Sequence, residues 1–198
     1  MITIIDLQAG NFFSLENVIK KITSEVLLSE DYDQISKSKI ILLPGVGRFD
    51  VFMEKIKKKK IDVAIKNALI NKAKFLGICV GMHVLFDKSE EGNCEGLSLI
   101  SGEIKKFNTK LDFKIPHMGW NTVKIIKDDP SILSNNNKFY FIHSYYADPK
   151  CSNNTIGVTE HGQEFASIVK KNNIYGVQFH PEKSHLFGRK FLENFLNA

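Results

Sequence analysis

The stretch Phe75-Leu76-Gly77-Ile78-Cys79-Val80-Gly81 joins an apolar strand to the pattern glycine, any residue, nucleophile, any residue, glycine. Small residues on both sides let a chain turn sharply from a strand into a helix, which exposes the central side chain. Free N–H groups at the start of that helix favour a thiolate and a nearby oxyanion. Cys79 is therefore a candidate nucleophile. The alternative is a small buried core residue, as most free cysteines are.

Short apolar runs that precede helical patterns also occur before this stretch. Residues 2–7 and 40–43 are apolar, and apolar residues then recur at helical spacing in 15–22 and 63–70. Strands separated by helices indicate a parallel sheet that is covered on both faces. The length of 198 residues suits one domain. We therefore predict a single three-layer α/β domain, residues 1–198, with a central and mainly parallel sheet.

The pattern changes from about residue 96 onward. Segments 123–126, 139–142, 166–169 and 174–177 are short, strand-like and divided by Asn, Asp, Pro and Gly. This half is predicted to consist mostly of strands and loops, with antiparallel pairing. The final segment 186–196 has apolar residues at helical spacing and should pack back on the sheet.

Composition excludes several classes of protein. Three cysteines without a C-x-x-C spacing suggest neither a disulfide framework nor a zinc site, and no metal or organic cofactor is implied. The lysine run 57–60 contributes to a net charge of +5, but no aromatic residues are interleaved with it. A solvated helix face or loop is therefore favoured over a nucleic-acid site. No run reaches the roughly 18 apolar residues of a membrane helix, which predicts a soluble, cytoplasmic protein.

A candidate base lies near the C-terminus. Residues 174–179 form a predicted strand that runs into His180-Pro181-Glu182, and proline ends the strand. Active-site groups of open α/β sheets gather at such strand ends. His180 could remove the thiol proton and later protonate a leaving group, while Glu182 orients the imidazole. Taken alone, a histidine at a strand end followed by a glutamate is more often a surface pair than a catalytic dyad. Together with the turn around Cys79, the catalytic interpretation is favoured.

Five ordered motifs carry a resemblance across nearly the whole chain. They are Pro44-Gly45-Val46-Gly47-Arg48-Phe49, Leu76-Gly77-Ile78-Cys79-Val80-Gly81-Met82, Pro116-His117-Met118-Gly119-Trp120-Asn121, Phe141-Ile142-His143-Ser144-Tyr145-Tyr146 and Val177-Gln178-Phe179-His180-Pro181-Glu182-Lys183-Ser184. With them the chain resembles class I glutamine amidotransferases, and closely the glutaminase subunits of imidazole glycerol phosphate synthase in histidine biosynthesis. The resemblance implies the flavodoxin-like open sheet of that class.

The resemblance also implies a reaction. L-glutamine would be hydrolysed to glutamate and ammonia through a thioester on Cys79, with His180 as acid and base and Glu182 orienting it. The oxyanion would be held at Val46 or Gly47 together with the N–H of Val80. Free ammonia is wasted in bulk water, so we expect a channel into a partner and low activity of the glutaminase on its own.

Further roles follow only from the resemblance. The partner would be a cyclase subunit with a β/α-barrel, bound as a heterodimer, with no nucleic acid or membrane involved. The substrate-binding residues would be His83, Glu91, His143, Ser144 and Tyr145. The partner-facing residues would be Asn11, Met118, Trp120, Tyr140 and Lys183. For residues 139–146 the alternative is a core strand.

Three departures from the family pattern and two rival functions stay open. His83 stands where the family usually has glutamine, although an imidazole N–H can still donate a hydrogen bond. The turn Asp6-Leu7-Gln8-Ala9-Gly10-Asn11 lacks the usual middle glycine. The segment Glu182-Lys183-Ser184-His185-Leu186-Phe187-Gly188 looks more like a paralogue that supplies ammonia for amidation of a surface sugar. Two rival functions on the same fold are a cysteine peptidase and a non-catalytic module.

Overall fold

The computed structural model of the chain describes residues 1–7, 12–108, 113–132 and 137–198. The strands are β1 (Ile2–Ile5), β2 (Val26–Ser29), β3 (Ile40–Gly45), β4 (Lys74–Cys79), β5 (Lys88–Ser89), β6 (Cys94–Glu95), β7 (Gly102–Lys106), β8 (His117–Ile125), β9 (Asn137–His143), β10 (Tyr145–Pro149), β11 (Thr155–Glu160), β12 (Glu164–Lys171) and β13 (Ile174–Val177). The α-helices are α1 (Phe12–Lys20), α2 (Tyr32–Ser36), α3 (Phe49–Lys58), α4 (Ile61–Ile70), α5 (Val80–His83) and α6 (His185–Asn197). Two short 3₁₀ helices span Ser152–Asn154 and Pro181–Lys183.

Five strands form the parallel centre of the sheet in the order β2, β1, β3, β4, β13. This is the strand order of flavodoxin-like folds, so the predicted fold class is confirmed. Every residue of β1 and β13 is buried, as are five of the six residues in β3 and in β4. Consecutive buried residues mean that both faces of these strands are covered.

Antiparallel strands extend the sheet beyond β13. β12 pairs antiparallel with β13, β10 with β12, and β7 with β10. A branch runs from β12 through β11 and β8 to β9. The antiparallel second half is confirmed with two differences, because β7 pairs in parallel with β5 and β13 also pairs in parallel with β4. This double pairing joins the two halves into one sheet and brings residues 178–182 beside the end of β4.

Helix α3 explains the lysine run. Phe52, Met53 and Ile56 are buried on one side of this helix, whereas Lys57 and Lys58 on the other side are exposed. Such a distribution is that of an amphipathic surface helix. The lysines therefore form a solvated helix end, as the sequence predicts.

The helix that follows the nucleophile is short. α5 covers four residues, and the chain then turns instead of continuing the helix. The carbonyl groups of Val84, Leu85 and Phe86 accept hydrogen bonds from the N–H groups of residues 97–100. A tertiary contact therefore takes the acceptors that a longer helix would have used. The dipole of so short a helix adds little, and local N–H groups matter more.

Candidate active site

Cys79 occupies a strained turn between β4 and α5. Its backbone has φ of 54° and ψ of −111°, a conformation that L-residues rarely adopt. A Cβ added to Gly77 would lie 2.1 Å from the carbonyl oxygen of Gly81, and one on Gly81 would lie 1.8 Å from that of Leu43. Both glycines of the motif are therefore required by close backbone contacts. The predicted nucleophile elbow is present in the structure.

The end of β3 lies beside this turn. Gly45 pairs with Cys79 across the parallel β3–β4 ladder, which places Val46 and Gly47 just past the nucleophile. Both residues are exposed, and Gly47 has φ of +98°, in the region that favours glycine. Val80 is the first residue after the nucleophile. The backbone on both sides of Cys79 can thus supply N–H donors to one oxyanion.

His180 and Glu182 form a buried pair on the other side of β4. Nδ1 of His180 lies 2.7 Å from Oε1 of Glu182, and each side chain is only 2% exposed. The hydroxyl of Ser184 donates to the carbonyl oxygen of His180 at 2.6 Å and accepts from the N–H of Tyr140 at 3.0 Å. The N–H of His180 also donates to the carbonyl oxygen of Tyr140 at 2.9 Å. The His-Pro-Glu turn is therefore fastened to β9.

The charge state of His180 follows from its neighbours. Burial by itself lowers the pKa of His180, but the charge of Cys79, a hydrogen bond to Cys79 and the hydrogen bond to Glu182 outweigh it and raise the pKa to about 10. Within the described part of the chain, Nε2 of His180 has no hydrogen-bond partner of ordinary geometry. With Nδ1–H donated to Glu182, Nε2 is the atom left for proton exchange with Cys79 or a substrate.

One cavity of about 510 Å³ contains most of the predicted site. This size suits a small-molecule substrate. Its lining combines residues from β3, the elbow, the segment after β9 and the His-Pro-Glu turn. The residues are Val46, Gly47, Cys79, Val80, His83, Glu91, Pro116, Ile142, His143, Ser144, Tyr145, His180 and Lys183. All the residues predicted for the oxyanion and for substrate binding thus come together, and Glu182 lies behind His180.

Glu91 is positioned by the start of α3. Its Oε2 accepts the N–H of Phe49 at 2.9 Å, which leaves Oε1 for a cationic group in the cavity. Burial raises the pKa of Glu91, although the hydrogen bond from Phe49 and the charge of Arg48 oppose this effect. Because Phe49 follows Gly47 by two residues, Glu91 also fixes the far end of the oxyanion segment.

His143 belongs to both the core and the cavity. Phe139, Phe141 and His143 alternate as buried residues along β9, so the core-strand alternative also holds for that strand. Nδ1 of His143 donates to the carbonyl oxygen of Tyr145 at 2.8 Å, so its Nε2 accepts from Nδ1 of His117 at 2.9 Å. Burial lowers the pKa of His143 well below 6.5 and, with a contribution from the charge of His161, lowers that of His117 to about 4.

His83 makes a contact that the sequence does not reveal. Its Nε2 lies 2.7 Å from Oε1 of Gln178, and Nε2 of Gln178 lies 3.9 Å from Sγ of Cys79. Sequence reasoning missed Gln178 as a site residue. Gln178 lies in the quoted motif 177–184, two residues before His180. A polar residue at that position is expected from the alternation of side chains along a strand, so nothing in the pattern marks it as part of the site. Pro116 and Ile142, which line the cavity, likewise lie in quoted motifs without a separate signal of their own.

The predicted partner-facing residues form a surface next to the dyad. Met118 and Trp120 are 59% and 48% exposed. Trp120 makes an edge contact with Tyr140 at 6.2 Å, and Nζ of Lys183 lies 5.8 Å from the centre of the Tyr140 ring. Lys183 also lines the cavity, so this surface and the cavity adjoin. Asn11, the fifth predicted residue, lies outside the described residues.

Among the described residues, no group of three or more His, Cys, Asp or Glu side chains is arranged to hold a metal ion. No helix in the described ranges is long and apolar enough to cross a membrane.

Attack of a thiolate on a carbonyl carbon is the chemistry that Cys79 and the buried imidazole support. The fold and site thus define a cysteine-dependent acyl-transfer enzyme. The chain belongs to the class I glutamine amidotransferase family, because the sequence profile of that family, "Glutamine amidotransferase class-I", matches residues 3–198.

Curated relatives extend over the whole chain. The chain is 48% identical to imidazole glycerol phosphate synthase subunit HisH 2 of Methanococcus maripaludis, over 99% of this chain and 98% of the relative. It is 42% identical to subunit HisH of Methanocaldococcus jannaschii, over 99% and 98% of the two chains. It is 41% identical to subunit HisH 1 of a Campylobacter jejuni strain, over 98% of each chain.

Solved structures support the fold alone. The structure of PurLQS from Thermotoga maritima superposes with a TM-score of 0.77 at 17% identity, over 99% of this chain and 97% of that one. A glutamine amidotransferase from the same organism superposes with a TM-score of 0.70 at 12% identity, over 98% of this chain and 95% of that one. At such identities the likeness concerns the arrangement of strands and helices.

Proposed function

We propose that this chain is the glutaminase subunit of an imidazole glycerol phosphate synthase. It hydrolyses L-glutamine to glutamate and ammonia and passes the ammonia to a cyclase subunit with a β/α-barrel. The observation that carries the proposal is the shared cavity, in which Cys79, a buried imidazole–carboxylate pair and a half-buried carboxylate meet. The names of the relatives, which are all subunits of this synthase, support the choice of acceptor.

The first half of the reaction forms a thioester. Nε2 of His180 takes the proton of the Cys79 thiol, and the sulfur attacks the carboxamide carbon of glutamine. The N–H of Val80 and the backbone at Val46 or Gly47 hold the negative oxygen of the tetrahedral intermediate. When the C–N bond breaks, Nε2–H protonates the leaving nitrogen, and ammonia departs.

The second half regenerates the enzyme. His180 removes a proton from water, and the oxygen attacks the thioester carbon. The C–S bond then breaks, so glutamate leaves and the thiolate returns. Throughout, the charge of Glu182 favours the tautomer that carries hydrogen on Nδ1 and stabilises the imidazolium.

Substrate recognition and ammonia transfer are assigned to different residues of the cavity. Glu91 suits the ammonium group of glutamine, since one of its oxygens is free of Phe49. His143, Ser144 and Tyr145 line the wall on the β9 side. Lys183 lies where the cavity meets the surface of Met118, Trp120 and Tyr140, and this is the side that we assign to the cyclase.

A single domain spanning residues 1–198 is part of this proposal. One hydrophobic cluster contains buried residues from β1 to α6, including Ile2 and Phe195. The family profile likewise extends over nearly all of the sequence. Both observations support one cooperative unit.

A second candidate acceptor keeps the same glutaminase chemistry. The segment 182–188, which differs from the histidine-pathway pattern, lies against the assigned partner surface, because His185 stacks on Trp120 at 5.3 Å. Leu186 and Phe187 next to it are also exposed. A partner of the surface-sugar amidation type would therefore contact residues of the segment 182–188, where this chain differs from the histidine-pathway pattern.

The two acceptors are separated by measuring glutamate release. The purified chain is assayed alone, with the cyclase of the same genome, and with that cyclase plus its nucleotide substrate. Strong stimulation by cyclase and nucleotide is expected, together with loss of activity in Cys79→Ser and full activity in Cys151→Ser, which changes an exposed thiol. Absence of stimulation while Cys79 still reacts with iodoacetamide would favour the sugar-amidation partner.

A further inference from the structure

Two buried side chains connect the end of α5 to the sulfur of the nucleophile. His83 is the last residue of α5 and is 3% exposed, and Gln178 follows β13 and is fully buried. The Nε2 atom of His83 lies 2.7 Å from Oε1 of Gln178. The amide nitrogen of Gln178 in turn lies 3.9 Å from Sγ of Cys79. The three residues form one hydrogen-bonded chain that ends on the sulfur.

The direction of the hydrogens in this chain is determined by the acceptors. If the Gln178 amide were reversed, its carbonyl oxygen would face the sulfur, and a thiolate would repel it. With the NH₂ group on the sulfur, Oε1 faces His83 and needs a donor, so Nε2 of His83 must carry the hydrogen. Nδ1 of the neutral imidazole then carries no hydrogen, and it is buried without a hydrogen-bond partner among the described residues. Burial lowers the pKa of His83 to about 4, so the ring stays neutral.

We propose that His83 is a positioning residue, whose Nε2–H fixes the Gln178 carboxamide so that its NH₂ group donates to the sulfur of Cys79 and stabilises the thiolate. The proposal deepens the proposed function and rests on Cys79 being the nucleophile. Hydrogen bonds to an ionised acceptor are about twice as strong as neutral ones. The long distance of 3.9 Å is that of a resting site, since catalytic hydrogen bonds often shorten in the complex with substrate.

This assignment gives the buried histidine a role beyond packing. A leucine or methionine would fill the same space at the end of α5 without leaving a buried imidazole nitrogen unpaired, which carries a desolvation cost. The N–H group of the ring has a single direction once its tautomer is set. It therefore holds an amide that would otherwise flip between two orientations of similar shape.

The titration of Cys79 tests the proposal without glutamine. Cys94→Ser and Cys151→Ser are first combined, so that Cys79 is the one remaining thiol of the chain. The rate of alkylation by iodoacetamide is then measured against pH, because only the thiolate displaces iodide. The other titratable groups around the cavity are unchanged in every variant; they are His180, Glu182, Glu91, His143, Tyr145 and Lys183.

Four variants are compared with that background. Gln178→Met keeps length but removes the donor, and His83→Leu frees the amide. Both should move the midpoint of the alkylation profile to higher pH by about one unit, the size expected for one hydrogen bond to a charge. Gln178→Glu places a second negative charge near the sulfur and should move the midpoint to still higher pH. His83→Gln can still donate to Oε1 and should restore most of the original midpoint.

Folding is checked for each variant by circular dichroism and a cooperative urea transition. An unchanged midpoint in folded Gln178→Met would overturn the proposal, even if His83→Leu does not fold. Equal shifts in His83→Leu and His83→Gln would overturn the positioning role of His83. Failure of the parent chain to hydrolyse glutamine in the presence of the cyclase and its nucleotide substrate, with the midpoints shifted as expected, would reject the proposed function while leaving the role of His83 intact.

Discussion

Acid should lower the free energy of unfolding of this protein through protonation of His83, and substitution of His83 should remove that effect. In the folded chain His83 stays neutral down to about pH 4, whereas in the unfolded chain it takes up a proton near pH 6.5. Between these values the unfolded state binds more protons, so stability falls as pH falls. A group with these two pKa values loses about 3 kcal/mol of stabilisation between pH 7 and pH 4.

The assay compares His83→Gln with the unchanged chain. The free energy of unfolding is measured by urea titration and circular dichroism at pH values from 7 to 4. The other buried histidines and the carboxylates titrate in both proteins, so the difference between the two curves isolates His83. We expect the unchanged chain to lose about 3 kcal/mol more than the variant over this range. Parallel curves would refute the claim that His83 is buried and neutral.

Three other substitutions test separate parts of the site. Glu182→Gln should lower kcat for glutamine by about 10³- to 10⁴-fold while the fold persists, because the imidazole loses the charge that selects its tautomer; a loss below tenfold would contradict this. Gly81→Ala should lower the free energy of unfolding by more than about 3 kcal/mol, since its Cβ would lie 1.8 Å from a carbonyl oxygen of β3. A Cβ on Gly47 meets nothing within 4 Å, so Gly47→Ala should lose only the roughly 1–2 kcal/mol that its φ of +98° costs a residue with a side chain. Similar losses in Gly81→Ala and Gly47→Ala, measured by urea unfolding, would count against the close contact. Trp120→Ala should weaken cyclase binding more than tenfold in calorimetry, and Ile70→Ala, an exposed residue on α4, should not.

Much of the site could be predicted from sequence because its chemistry lies in short local patterns. The glycines around Cys79 indicate a sharp turn of the backbone. Pro181 indicates that the strand leading to His180 has ended. Parallel strands β3, β4 and β13 end at one edge of the sheet, so motifs far apart in sequence meet there. The predicted cavity residues are therefore together in the structure.

The parts that sequence did not predict depend on tertiary contacts. The short length of α5 results from residues 97–100, which take its carbonyl acceptors. β2 and α2 have four and five residues, too few for a clear periodic pattern. The bond between His83 and Gln178 joins residues 95 positions apart, and nothing in either local pattern indicates it.

Detection of the acyl-enzyme tests the assignment of Cys79 as the nucleophile most directly. The chain is mixed with glutamine in the presence of the cyclase, quenched in acid within milliseconds and digested, and the peptides are analysed by mass spectrometry. We predict a γ-glutamyl group on the peptide that contains Cys79 in the unchanged chain, and no such group in Cys79→Ser. Glutamate release without any adduct on Cys79, or with undiminished rate in Cys79→Ser, would contradict the assignment of Cys79 as the nucleophile.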